Sequence, residues 1–423
     1  MLSLNCPPDR LKKAAILLAI TLFCSVTVSA DVVTDWNARA VQYSGAAGRP
    51  GPSFVIDVAV VQAAIYDAVQ AIEGDYQPLC ASIPGASGST TAAAATAARD
   101  VLLSRFTSPA QTMAIQMDYA NYVSGIDPAD PGFDVGHAAA ACIIEARESD
   151  GSFPDPPWPP FIGGTEAGMW RPTPSAPFAA EWLGFMTPFT MRSASQFRSG
   201  PPPDLNSPQY TRDYNEVKNY GGSTSDLRSP DQLELAKFWN GNFPAQMYRL
   251  SRDLAASHML SVSESSRLLA LVDLSMADGT IAAWDCKRHY LFWRPVTAIQ
   301  NGNDDGNPKT AGDATWNTFL GTTPPYPDYT SGANVIIAAG TRAMSLYFDS
   351  NEMDFTINTT NTGSRPPIFP TRSYHKFSEV RDEVVEARII QGIHFRFADV
   401  AARKQGEHIA QWANSHYFRP VEE

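Results

Sequence analysis

The longest uninterrupted helical pattern in this chain of 423 residues runs from Ser263 to about Arg288, and it constrains the fold more than any other stretch. Ser263, Ser266 and Glu264 mark its start, apolar residues recur at helical spacing, and the run ends on Lys287. Similar patterns cover Ser53–Ile72 behind Pro52, then Thr91–Phe106, Pro109–Tyr122 and Val135–Arg147. They resume at Pro208–Tyr220, Pro230–Trp239 and Pro244–Leu260, each with proline near the start, where a missing amide costs least. Further helices are predicted from Thr330 to about Leu346, over Ser378–Phe397 and over Val400–Phe418, with a short strand at Met353–Asn358. The expected fold class is all-α, a helical bundle forming one domain over residues 31–423.

Between the two helical groups lies Ser152–Pro208, rich in proline and aromatic residues. Repeated proline excludes a continuous helix there. Its aromatics carry too much burial free energy for a solvated linker, so an ordered wrap over the helical body is expected. The Gly-, Asn- and Asp-rich stretch Asn301–Gly312 reads as a loop.

Residues 1–30 read as a secretory signal: Arg10, Lys12 and Lys13, an apolar run from Ala14 to Cys24, then Val28-Ser29-Ala30. No other stretch reads as long and apolar enough to span a bilayer, so a secreted or periplasmic protein without a membrane span is expected. Removing the leader takes away three cations and one acid, moving the net charge from −12 to −14. Such an acidic chain is a poor partner for nucleic acid or anionic lipid. Three cysteines remain, Cys80, Cys142 and Cys286, enough for one disulfide and one free thiol.

Against that acidic background, three segments gather cations. Arg388 and His394 lie six residues apart in Ala387–Phe397, about 9 Å of rise on a helix. Lys287 and Arg294 bracket Lys-Arg-His-Tyr-Leu-Phe-Trp-Arg-Pro, and Ser331-Gly332 opens the apolar run after Tyr326-Pro-Asp-Tyr-Thr. In isolation each has a plain structural reading: a core histidine with a snorkelling arginine, or a serine helix cap. Together they supply three cations, a hydroxyl, a helix N-terminus and an imidazole, the donor set for an enclosed tetrahedral oxyanion.

The order Lys-x6-Arg-Pro, then Ser-Gly at a helix start, then Arg-x5-His resembles the signature of the vanadium-dependent haloperoxidases and the type 2 phosphatidic acid phosphatases. The context Trp293-Arg-Pro-Val-Thr-Ala-Ile and the segment Met169-Trp170-Arg171-Pro172 resemble secreted bacterial haloperoxidases. The resemblance implies a helical bundle with the oxyanion pocket in its C-terminal half. It also implies a vanadate cofactor, with phosphate as the alternative ligand, and hydrogen peroxide and halide as further partners. His394 would then be the vanadium ligand, Lys287, Arg294 and Arg388 would neutralise the oxyanion, Ser331 and Gly332 would donate to it, and Lys287 would also polarise the peroxide. Three positions depart from the pattern: Thr330 replaces proline, Ala387 replaces serine, and Ala333 stands where the family carries its acid–base histidine. Three functions stay open: a haloperoxidase, a phosphatase with His394 as nucleophile, and a non-catalytic oxyanion binder. Asn334 and His375 are the residues considered as substitutes for the missing acid, while His137, His289, His408 and His416 read as structural or surface histidines.

Overall fold

The computed structural model describes residues 31–49, 51–80, 82–154, 159–173, 180–363 and 365–421. The expected leader and two parts of the Pro-rich segment, 155–158 and 174–179, lie outside the described residues. Among the described residues the chain is α-helical apart from one two-stranded hairpin and isolated bridges, as the periodicity predicts.

Helix α1 (Val32–Ala46) starts on Asp31, whose carboxylate accepts the Thr34 amide at 2.8 Å. Next, α2 (Phe54–Glu73) is buried without interruption from Phe54 to Gln70, against α1, α3 (Thr90–Arg105) and α5 (Gly132–Arg147). Helix α4 (Pro109–Tyr122) packs on α3 through a single fully buried residue, Ile115. By length and composition α2 passes as a membrane-crossing helix, which corrects the expectation that no stretch beyond the leader would. Its position explains this: a helix enclosed by other helices needs apolar side chains in every direction.

The second group opens with α6 (Pro208–Tyr220), α7 (Pro230–Phe238) and α8 (Phe243–Ser257). Ser108, Ser207 and Ser229 each accept the amide three residues on, while the following proline fills the first helical position and leaves no amide unpaired. Then comes α9 (Val262–Tyr290), started by a reciprocal Ser261–Glu264 cap and buried from Leu268 to Lys287. It touches α2 on one side and α11 (Gly332–Tyr347) and α13 (Arg396–His416) on the other, joining the two helical groups. The short α10 (Pro295–Gln300) follows it.

Acidic and basic side chains on α9 hold the described parts of the Pro-rich segment. Asp278 accepts the amides of Phe189, Thr190 and Met191 at 2.6, 2.8 and 3.1 Å. Asp285 takes Arg198 through two bonds of 2.7 Å, and Arg288 donates to the carbonyls of Pro159 and Glu181.

Two details near the C-terminus differ from the sequence reading. The break between the last two helices comes earlier than expected, before Arg396 rather than after Phe397, separating α12 (Phe377–Ile390) from α13, because the chain turns at Gly392 with φ +80°. Any side chain at Gly392 would meet the Gly221 carbonyl at 2.2 Å, so the break also depends on close packing. A second strand, β2 (Thr371–Lys376), pairs antiparallel with β1 (Glu352–Asn358), while α11 starts at Gly332 with Ser331 in the cap position, in keeping with a serine cap there.

Cys80 and Cys142 form a disulfide that ties the chain after α2 to α5, and Cys286 is a buried free thiol. Burial raises the Cys286 thiol pKa and keeps it unreactive. Cys142→Ser should lower the unfolding free energy by about 2–5 kcal/mol in urea titrations followed by circular dichroism. A change within error would mean that this bridge does not constrain the unfolded chain.

Candidate functional site

Four connections deliver the motif residues to one place. Lys287 sits in the last turn of α9, which ends on Leu291 in the left-handed conformation. Arg294 is extended, as a residue before proline must be, and leads into α10. Arg388 lies in the last turn of α12, and the turn at Gly392 swings His394 back toward it; the pair does not share one helix. Ser331 and Gly332 open α11, where a Cβ on Gly332 would sit 3.0 Å from the Trp284 ring. Lys287, Arg294, Ser331 and His394 are all at most 1 % exposed, and Arg388 is also buried.

The segment Tyr326–Asp328 receives three of them. Lys287 Nζ donates to the carbonyls of Pro327 at 2.8 Å and Asp328 at 3.0 Å. Arg294 Nε donates to the Tyr326 carbonyl at 2.8 Å, and its Nη1 donates to the Ile393 carbonyl at 2.7 Å. The Asp328 carboxylate lies 2.7 Å from His394 Nδ1 and 3.6 Å from Arg294 Nη1. Arg388 Nη1 donates to Gln391 at 2.6 Å, and Gln391 is itself anchored on the Ala236 carbonyl. Beside Ser331, the Asn334 amide donates to Asp399 at 2.8 Å and lies 3.2 Å from the Ser331 hydroxyl.

Burying charges this close together perturbs the cations, carboxylates and imidazole of the cluster. Burial, then Arg294, Lys287 and Arg388, hold His394 well below its ordinary pKa, so the imidazole is neutral. Burial and Arg294 also push the Lys287 ammonium well down, and burial brings Arg388 to about 10. The two carboxylates move the other way: burial raises Asp328 to about 7, against Arg294 and Lys287, and lifts Asp399 well above the usual range.

Two guanidinium donors in the cluster, Arg294 Nη2 and Arg388 Nε, are buried with no hydrogen-bond partner. Leaving such donors unmade is expensive, and an oxyanion beside the neutral His394 would satisfy both. The residues present therefore fit a vanadate or phosphate group.

The fold brings Lys287, Arg294, Ser331, Gly332, Arg388 and His394, the residues the motifs point to, into one region, together with Asp328, Asp399 and Gln391, which the motifs do not single out. A carboxylate between Pro327 and Tyr329, inside the cation-collecting motif, was the available signal for Asp328. His375 is corrected as a substitute acid: it is exposed on β2 and paired with Asp354 at 2.6 Å. Asn334 does reach the site, as an amide that donates to Asp399. Ala333 is buried in the first turn of α11. A cavity of about 590 Å³ lined by Tyr329, Phe397, Gln405 and His408 lies nearby, but none of the four motif cations and imidazoles lines it.

Comparison with known proteins places this geometry. The family model described as the VCPO second helical-bundle domain matches residues 267–423, beginning inside α9 and covering all the site segments. The vanadium chloroperoxidase of Curvularia inaequalis is 27% identical over 297 residues, 54% of this chain and 48% of that protein. The chain thus aligns with about half the length of that curated relative. A bacterial vanadium-dependent iodoperoxidase superposes with a TM-score of 0.71 at 22% identity, covering 93% of this chain and 95% of that one. A holo-type bacterial vanadium-dependent chloroperoxidase gives 0.69 at 20% identity, covering 86% and 92%. At such identities the two structures establish a common fold. Residues 267–423 thus match the second helical-bundle domain of that family model, and over most of its length the chain shares the fold of the bacterial vanadium-dependent peroxidases.

Proposed function

We propose that the protein is an exported haloperoxidase-like enzyme that holds vanadate in the buried cluster and oxidises halide with hydrogen peroxide. The observation that carries this reading is the pair of unpartnered donors, Arg294 Nη2 and Arg388 Nε, beside a neutral His394. His394 would ligate the metal through a ring nitrogen, and Arg294, Arg388 and Lys287 would balance the oxyanion's charge. Ser331 and the start of α11 would complete the donor set. When bound, vanadate supplies a Lewis acid that polarises peroxide toward halide attack. Lys287 keeps one donor beyond its two carbonyl bonds, and its depressed pKa suits it to exchange a proton with the peroxide. The Trp284 and Tyr326 rings flank its ammonium and exclude water from it.

Titration of the purified protein with vanadate, followed by a bromide and peroxide assay, tests the activity directly. His394→Ala should abolish halide oxidation while leaving the helical circular dichroism unchanged. Near wild-type turnover in that variant would remove His394 from the chemistry.

Vanadate and phosphate should compete for one site in calorimetry, and Arg388→Ala should weaken both by about 1.5–3 kcal/mol. An incoming anion stabilises protonated Lys287 and so raises its depressed pKa. Binding therefore takes up a proton between the free-site and bound-site pKa values, and affinity should fall as pH rises through that window. Equal binding in wild type and variant would exclude this cluster as the anion site.

Ala333 leaves the turn after Ser331 without the family's imidazole. Ala333→His should raise bromide-oxidation turnover toward the hundred- to ten-thousand-fold range of general acid–base catalysis, less what overpacking removes. The rate–pH profile of the variant should gain a titration in the histidine range. An unchanged rate, with vanadate affinity and fold intact, would mean that position 333 does not face the reacting atoms.

A further inference from the structure

The cavity of about 590 Å³ has no part in the function proposed above, and its size suits a small organic molecule. One wall is a single stripe of α13, on which Phe397, Val400, Ala401, Lys404, Gln405 and His408 follow at helical spacing. The neighbouring stripe, with Ala398, Ala402, Ile409 and Ala413, is buried in the core. The other wall comes from the Pro-rich segment, residues 196–201 and Pro203. That wall is held at three consecutive residues. Arg198 is fixed on Asp285 by two bonds of 2.7 Å, the Tyr290 hydroxyl donates to the Ser199 carbonyl at 2.6 Å, and the Tyr329 hydroxyl donates to that of Gly200 at 2.8 Å. A site formed in advance spares its ligand the cost of ordering it.

The chain carries a net charge of −12, yet no Asp or Glu among the described residues lines this cavity. Lys404 lines it from an exposed position. Its neighbour Arg403 pairs with Asp382 and Glu407, while Lys404 pairs with no carboxylate among the described residues. Arg198 gives Asp285 its Nε and Nη2 and has Nη1 left. The apolar lining is aromatic and prolyl: Phe197, Phe397, Pro201 and Pro203, with the Phe397 and Tyr329 rings 6.2 Å apart. Flat apolar faces beside an unpaired cation select a ring that carries an anionic group.

We propose that this cavity binds a small aromatic carboxylate, with the ring against Phe197, Phe397 and the prolines and the carboxylate on Lys404 and Arg198 Nη1. The proposal goes beyond the vanadate reading and does not rest on it, because Lys287, Arg294, Ser331, Arg388 and His394 do not line the cavity. The two sites are still neighbours along the chain: Tyr329 lines the cavity, and the Thr330 hydroxyl donates to Gln405 Oε1 at 2.8 Å, one residue before Ser331.

The probe is 2-naphthoate, titrated by calorimetry into the vanadate-free protein, with 2-naphthalenemethanol as its uncharged counterpart. Wild type should bind the naphthoate about tenfold or more tightly than the alcohol, as a charge-assisted contact requires. Lys404→Glu should remove that preference, and Ala401→Trp should fill the cavity and abolish binding of both, with unchanged circular dichroism. Vanadate should leave the naphthoate affinity unaltered. No naphthoate binding to wild type at millimolar concentration would overturn the proposal, as would an equal affinity for the alcohol. Full naphthoate affinity in Lys404→Glu would overturn it even if Ala401→Trp fails to fold. Displacement of naphthoate by vanadate would put the carboxylate on the cation cluster and overturn it too. Naphthoate binding as expected, in a protein that binds no vanadate, would sink the proposed function and uphold this site.

Discussion

Three cations share a water-free space in this protein, and what makes that tolerable is the short segment Tyr326–Asp328, which presents its carbonyls and a carboxylate to them. Removing a charge from water costs several kcal/mol even after relaxation, so each buried ion needs directed partners. Lys287 finds two carbonyls, Arg294 finds two more, and Arg388 finds the anchored Gln391 amide. The surrounding helices are arranged to reach this segment: α9 ends beside it, α11 begins just past it, and the chain between α12 and α13 bends to bring His394 against it.

Most of the helices were legible because serine, proline and apolar spacing agree locally, as at Ser108-Pro109, Ser207-Pro208 and Ser229-Pro230. The position of the break between α12 and α13 was not, since Ile389, Ile390, Ile393 and Phe397 continue an apolar pattern through it. Its cause is tertiary: Gly392 touches the backbone of Gly221 from α6's C-terminal cap. Strand β2 was missed because Thr371–Lys376 buries only Tyr374, which leaves almost no alternation to read. Of the site, the ordered motif residues were legible. Asp328 and Asp399 were not, because one carboxylate in a motif says nothing about burial until the partner chains are in place.

Two buried carboxylates make this oxyanion site more nearly balanced than its cations suggest. Asp399 reaches Ser331 through Asn334, and Asp328 reaches both Arg294 and His394. Their raised pKa values and the depressed values of Lys287 and Arg388 have one origin, the absence of solvent, and they pull the net charge of the cluster in opposite directions.

The wrap has a role in how the site is assembled. Trp170 donates to the Leu291 carbonyl at 2.6 Å and Trp293 to that of Gly168 at 3.0 Å, while Asp328 donates to Phe292 from the other side. Leu291, Phe292 and Trp293, the three residues before Arg294, are therefore clamped between two segments distant in the chain, residues 168–170 and 328. The stretch that sets Lys287 against Arg294 thus depends on a segment outside the C-terminal half that supplies the motif residues.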